Sequence, residues 1–172
     1  MNKTTLFNLK KLDKSDPEHL ADVVSRIIAP DCFPIDSEGM LNAVGIDVQF
    51  SDHKNIQEQV VYYNSVKQTI VMNGIYKNTK MYRFALAHCL GRLIMFADED
   101  FWLPIESSGT TICELEKKAN KFAAEILMPK WFLESSIEKF SKKELMDLLG
   151  VSKNAITWKT AAFYERTNTI II

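Results

Sequence analysis

Apolar residues recur every three to four positions in several stretches of this chain, which is the spacing of one face of an α-helix. This spacing predicts helices at residues 16–29, 36–44, 80–96, 111–128 and 130–140, and two more within 141–166. Ser15 and Glu18 form a capping-box pattern with Pro17 near the first helical position, and Ser141 and Glu144 form a second one. The pattern therefore indicates where two of these helices begin.

Other segments alternate apolar and polar residues or are rich in β-branched and aromatic side chains, as strands are. Residues 46–50 predict one strand, and 60–64 and 69–73 predict a hairpin that turns through the polar residues 65–68. Residues 98–110 are interpreted as a loop. Together these elements predict an α+β fold in which a small antiparallel sheet of about three strands is covered by helices.

The predicted helix at 111–128 is strongly amphipathic, so one of its faces should belong to the core. The residues that form this stripe are Ile112, Leu115, Ala119, Phe122, Ala123, Ile126 and Leu127. Near the C-terminus, two helices joined at Gly150 have the spacing of a helix-turn-helix module. Because the second of them is rich in apolar residues and poor in Arg and Lys, we expect it to pack on the body of the protein.

Length and charge narrow the class of protein further. The 172 residues suffice for one domain, or one with a small appendage, and the net charge is −1. A near-neutral chain makes direct binding to nucleic acid unexpected. No stretch is long and apolar enough to span a membrane, and Cys32, Cys89 and Cys113 show no paired spacing. We therefore expect a cytoplasmic protein with free thiols.

The segment FALAHCLGR, residues 84–92, has the frame of a zinc-peptidase helix but lacks two of its three chemical residues. The full motif, H-E-x-x-H, binds the metal through two histidines one turn apart and uses the glutamate as general base. Here His88 is present, but Cys89 occupies the position of the glutamate and Arg92 occupies that of the second histidine. A guanidinium cannot ligate a dication, and a thiol of ordinary pKa is a poor substitute for a carboxylate base.

Several segments together resemble the ImmA/IrrE family of zinc metallopeptidases over residues 33–160. They are FPIDSEGMLNAVGIDVQF at 33–50, TIVMN at 69–73, RFALAHCLGRLI at 83–94, ELEKKANKFAAEILMP at 114–129 and the tail segment LMDLLGVSKNAI. The resemblance implies a zincin-like fold with an active-site helix. For the domain organisation, we expect an N-terminal helical segment at 1–32, the family domain at 33–130 and a C-terminal helical element at 131–172 that packs on it.

In the resembling family the third metal ligand is the glutamate three residues before an Ala-Asn pair, which corresponds here to Glu116. His88 and Glu116 are thus the remaining ligand candidates, and two ligands do not make a stable zinc site. No cofactor is expected, and no residue is assigned a catalytic role. We hypothesise instead that Arg92 occupies the metal position and forms a structural ion pair with Glu116.

Three functions remain open at this point. The first is a non-catalytic regulatory or interaction protein from a phage, mobile-element or toxin–antitoxin module. The resemblance implies that its partner is a protein such as an Xre-type helix-turn-helix repressor, an antitoxin or a toxin. The second is a residual or re-purposed metallopeptidase that cleaves such a repressor through His88, Cys89 and Glu116, with zinc if it retains the metal. The third is a DNA-binding regulator that uses residues 141–166.

Overall fold

The computed structural model describes residues 3–28, 33–51, 59–96, 101–104 and 114–168. The helices are α1 (Lys3–Leu9), α2 (Pro17–Ile28), α3 (Ser37–Ala43), α4 (Lys80–Met95), α5 (Glu114–Leu127), α6 (Lys130–Ser136), α7 (Lys142–Leu149) and α8 (Lys153–Asn168). The strands are β1 (Asp47–Ser51), β2 (Gln59–Asn64), β3 (Thr69–Asn73) and β4 (Phe101–Pro104). This arrangement confirms the α+β fold class.

The sheet differs from the prediction in strand number and in direction. It has four strands in the order β1-β3-β2-β4. β2 pairs antiparallel with both β3 and β4, but β1 runs parallel to β3. Hydrophobic alternation gives no information on which strands pair, because it depends only on the two faces of each strand. The sheet is therefore mixed and has four strands, so the prediction of an antiparallel sheet of about three strands was wrong in strand direction.

The fourth strand lies in a segment that the sequence placed in a loop. Residues 101–104 pair with β2 in a register that joins Tyr63 to Phe101 and Val61 to Leu103. An edge strand of four residues ending in a proline is too short to produce a recognisable alternation. Residues 97–100 and 105–113, which cover the rest of that predicted loop, lie outside the described residues.

The start of α2 has a different cap from the predicted one. The Asp16 side chain accepts hydrogen bonds from the backbone N–H of Glu18 at 2.9 Å and of His19 at 3.3 Å. Ser15 is engaged elsewhere, since its backbone N–H and its hydroxyl both donate to Asp13 at 2.9 Å. Aspartate directly before a proline at the first helical position is itself a strong N-cap, and it replaces the serine. The short helix α1 was not predicted at all.

Helix α4 belongs to the same apolar core as the buried residues of the sheet, among them Val61, Ile70 and Met72. It is buried on nearly every face, through Tyr82, Ala85, Leu86, Ala87, His88, Cys89, Leu90, Gly91, Leu93, Ile94 and Met95. Such a helix has little amphipathic character, as expected of an element surrounded by protein. Its most extensive contact is with α5, which also packs on α2. The α4–α5 contact positions the candidate site.

The buried stripe of α5 is confirmed from Ala119 to the end of the helix. Its buried apolar residues are Ala119, Phe122, Ala123, Ala124, Ile126 and Leu127. Leu115, assigned to the same stripe, is 48% exposed. The first buried residue of the helix is Ala119, and burial is continuous from Phe122 onward. Ile112 lies outside the described residues.

The C-terminal helices pack on the body through a shared apolar face. Their buried residues include Leu145, Leu149, Val151 and Ile156. Gly150 ends α7 in the left-handed conformation with φ +61°, and its carbonyl accepts a hydrogen bond from Arg83 of α4. A cation at the carboxyl end of a helix interacts favourably with the helix dipole. None of the described helices is long and apolar enough to cross a membrane.

Candidate functional site

Helix α4 presents two of the predicted site residues on one face. The helix begins at a Thr79 cap, whose hydroxyl accepts a hydrogen bond from the Tyr82 backbone N–H at 3.1 Å. His88 and Arg92 are separated by four residues and therefore lie one turn apart, with their side chains directed to the same neighbour. That neighbour is α5, which presents Glu116 and Asn120 at the same four-residue spacing.

These four side chains form what we call the α4–α5 polar cluster: His88, Arg92, Glu116 and Asn120. Arg92 donates a hydrogen bond from its guanidinium to Oε1 of Glu116. The other carboxylate oxygen, Oε2, lies 2.9 Å from Nε2 of His88. Nδ1 of His88 lies 2.8 Å from Oδ1 of Asn120. The structure thus brings three of the four predicted site residues into contact and adds Asn120 to them.

The cluster is largely protected from solvent. The His88 side chain is only 7% exposed, and those of Arg92 and Glu116 are 22% and 27% exposed. The Nε2–Oε2 contact is an ion-pair distance without the alignment of a hydrogen bond, since Nε2 has no aligned hydrogen-bond partner among the described residues. The cluster therefore orients the ring by its Asn120 contact and by proximity to the carboxylate.

Contacts with α4 hold the pKa of Glu116 below its ordinary value. The polar contact with His88 is the largest cause, and electrostatic attraction by His88 and Arg92 acts in the same direction. Burial alone would raise the pKa of this carboxyl, and it is outweighed. Glu116 is accordingly an anion at neutral pH, held by the helix that faces it.

Cys89 is in a different environment from its neighbours in the motif. It is fully buried in the apolar core, and burial is the largest cause that raises the pKa of its thiol. Arg92 lowers this pKa and Glu116 raises it, both by smaller amounts. A reactive cysteine requires a thiolate at least partly accessible to its substrate. The burial of Cys89 speaks against a nucleophile or a general base at this position.

The residues of the cluster do not fit a zinc ion. A catalytic zinc takes three protein ligands and a water, whereas this cluster offers only His88 and Glu116. The guanidinium of Arg92 forms an ion pair with Glu116, and its positive charge would repel a dication at the same place. Among the residues that the structure describes, no group of three His, Cys, Asp or Glu side chains is placed to hold a metal ion.

Two polar features of the interior were not foreseen from the sequence. One is the contact of Asn120 with His88. Asn120 follows Glu116 by four residues, and this spacing was the one feature of the sequence that could have indicated the contact. The other is a buried ion pair between Lys159 of α8 and Glu125 of α5, with Nζ and Oε2 2.5 Å apart. Glu125 stands inside the apolar run AAEILMP, and a charge in such a run must find a partner in the fold.

A mixed sheet packed on a buried helix, with facing positions 88, 92 and 116 on that helix and its neighbour, defines a zincin-like protein. The family model for the IrrE N-terminal-like domain (Peptidase_M78) matches residues 41–159, more than half of the chain. The chain belongs to this family, which confirms the resemblance seen in its motifs. A comparison with curated proteins finds no match.

Proposed function

We propose that this chain is a non-catalytic member of its family that acts by binding a protein partner. The observation that carries the proposal is the hydrogen bond from Arg92 to Glu116. It places a side-chain cation on the one carboxylate of the cluster that could ligate a metal. A metallopeptidase needs a metal-bound water and a carboxylate beside it that accepts the proton of that water. The cluster supplies neither the ligand set nor the base.

The burial of Cys89 supports the same proposal against a re-purposed hydrolase. A cysteine hydrolase requires a thiolate within reach of a histidine base and of the substrate. Cys89 has no exposed surface, and it follows His88 directly, about 100° around the helix. The most economical role for this residue is to fill the core beside the cluster.

The packing of the C-terminal helices supports protein binding rather than DNA binding through residues 141–166. Lys159 is 10% exposed and is paired with Glu125, so it is not available to a phosphate. Ile156 and Thr160 on the same helix are buried as well. A DNA-reading helix presents its basic and polar face to the groove, whereas this helix directs a lysine into the protein.

Membership of this family supports a proposal for the partner class. We propose a helix-turn-helix repressor of the Xre type, or the counterpart of a toxin–antitoxin pair, from a phage or mobile-element module. Binding without cleavage would either hold such a repressor away from its operator or keep it there. We propose a cytoplasmic setting, the compartment in which such repressors act, because the sequence has an odd number of cysteines and no paired cysteine spacing.

The test first asks whether the gene for this chain has a neighbour that encodes a helix-turn-helix protein, and then combines the two purified proteins at equimolar concentration. Size-exclusion chromatography with light scattering measures complex formation, and gel electrophoresis over several hours measures whether the partner stays intact, with and without added zinc. We expect a complex whose partner remains intact in both conditions. An unrelated helix-turn-helix protein of similar size serves as the control.

The two halves of the proposal fail in different ways. Zinc-dependent cleavage of the partner would overturn the non-catalytic role. Absence of a complex would overturn the partner class. Tight, sequence-specific binding of this chain alone to operator DNA in a mobility-shift assay would favour the DNA-binding alternative.

A further inference from the structure

The carboxylate of Glu116 requires a cation, because it lies between two packed helices with about a quarter of its side chain exposed. An unpaired carboxylate in such a position loses part of its hydration, and no other interaction compensates for the free energy lost. In a zinc site the metal would provide the compensating charge. Here the guanidinium of Arg92 provides it, from the position one turn after His88.

The rest of the cluster retains the orientation that a metal ligand would have. A ligating histidine directs one ring nitrogen to the metal and the other to a hydrogen-bond partner that fixes the ring. His88 directs Nδ1 to Oδ1 of Asn120 and Nε2 to within 2.9 Å of Glu116 Oε2. The two candidate ligand atoms, His88 Nε2 and Glu116 Oε2, therefore lie close together between α4 and α5.

We propose that Arg92 is a built-in replacement for a metal ion: its guanidinium holds the two helices together at Glu116. It is also the one side chain of the cluster that prevents His88 and Glu116 from joining a three-ligand zinc site. A histidine at position 92 would place a third ligand on the same helix face as His88.

The first experiment asks whether one substitution creates the metal site. Isothermal titration of Arg92→His with zinc chloride, and metal analysis after dialysis, should show about one zinc per chain, against near none for the wild type. Arg92→His with His88→Ala is the matched control, since it keeps the new histidine and removes a ligand, and it should lose the binding. Cys89 is left unchanged because a carboxylate at that fully buried position would destabilise the fold.

The second experiment asks whether the cation itself stabilises the protein. Arg92→Met keeps much of the length of the side chain without its charge, and we expect it to lower the melting temperature by about 5 °C. Arg92→Lys retains a cation and should recover more than half of that loss. Zinc should raise the melting temperature of Arg92→His and leave those of the wild type and Arg92→Met unchanged.

Three results would overturn the inference: stoichiometric zinc in the wild type, no zinc binding by Arg92→His, or an Arg92→Met protein as stable as the wild type. If Arg92→His does not fold, the comparison of the Lys and Met variants still decides whether the cation is required. The inference concerns what holds α4 to α5 at Glu116 and what keeps zinc from this site, and it does not depend on the partner. A failure to bind the helix-turn-helix partner would therefore overturn the proposed function and leave this inference standing.

Discussion

A cation and a carboxylate each destabilise a protein interior when they are alone, and they compensate each other when they are paired. Arg92 and Glu116 form such a pair, at 22% and 27% side-chain exposure. Their environment lies between that of a surface pair and that of a buried one. We expect the removal of one partner to cost on the order of 1–3 kcal/mol, between the cost for a surface pair and that for a buried pair.

The lowered pKa of Glu116 makes the stability of the fold depend on pH at the acidic end. Because the folded pKa is below the unfolded value of 4.5, the unfolded chain binds the proton more readily in the interval between them. The stability due to Glu116 is therefore fully present above about pH 4.5 and is lost as the pH falls through the folded pKa. Urea denaturation between pH 7 and pH 3 measures this loss.

Glu116→Gln is the control for that measurement, since other carboxylates also titrate in this range. We expect the variant to be less stable than the wild type at pH 7 and to lose less stability on acidification. Parallel pH profiles for the two proteins would contradict the assignment of this effect to Glu116.

Cys89 should be chemically inert in the folded protein. Its burial raises the pKa of the thiol and removes it from solvent, so alkylation requires the core to open. We expect iodoacetamide to modify Cys89 at least ~100-fold more slowly in the native protein than in urea. Peptide mass spectrometry resolves Cys89 from the other two cysteines. Rapid modification of Cys89 in the native protein would contradict this prediction and would support a nucleophilic role for Cys89.

At the scale of elements, the close approach of α4 and α5 makes the cluster possible. A Cβ at Gly91 would lie 2.8 Å from Cδ1 of Phe122, a fully buried ring on α5. The absence of a side chain at this position lets the two helix axes come near enough for the side chains of α4 to reach Glu116. The glycine in the motif frame thus has a packing function distinct from the chemistry of its neighbours.

Gly91→Ala should separate these helices or strain the ring between them. We expect a loss of about 1–3 kcal/mol in the free energy of unfolding, as overpacking of a filled core produces. Chemical denaturation measures this loss. Combining Gly91→Ala with Phe122→Leu provides the control, since the smaller side chain relieves the clash. The two substitutions should then destabilise the protein by less than the sum of their separate effects.

At the scale of the whole molecule, a charge network around the buried Lys159 connects α2, α5 and α8, which are far apart in the sequence. Lys159 of α8 lies 2.5 Å from Glu125 of α5 and 3.5 Å from Glu18 of α2. The second oxygen of Glu125 accepts a hydrogen bond from the Lys130 backbone N–H at 2.7 Å, at the start of α6. One glutamate therefore fixes the positions of α6 and α8 together.

Removing one partner of this pair should cost more than removing both. We expect Lys159→Met to destabilise the fold by about 3–5 kcal/mol, because it leaves Glu125 buried without its cation. Adding Glu125→Gln should recover much of that loss, and a double-mutant cycle by urea denaturation measures the coupling. Additive effects would show that the pair does not hold α8 in place.

The sequence by itself determined most of the local structure. Helix α4, the β2–β3 hairpin and the capping box at Ser141 followed from periodicity and capping, which depend on near neighbours in the chain. The motif frame with the signature around Glu116 also placed the chain in its family. Residues four apart on a helix share a face, so the sequence grouped positions 88 and 92. The family resemblance added Glu116 to this group.

The tertiary structure decided which distant residues meet. The parallel pairing of β1 with β3, the strand β4, the Asn120 contact and the Glu125–Lys159 pair all join segments whose local sequence carries no signal of the partner. A charge in an apolar run shows that a partner is needed, but only packing selects it. The bond from Arg92 to Glu116 belongs to both levels: the sequence suggested it, and the packing of α4 on α5 brings its atoms together.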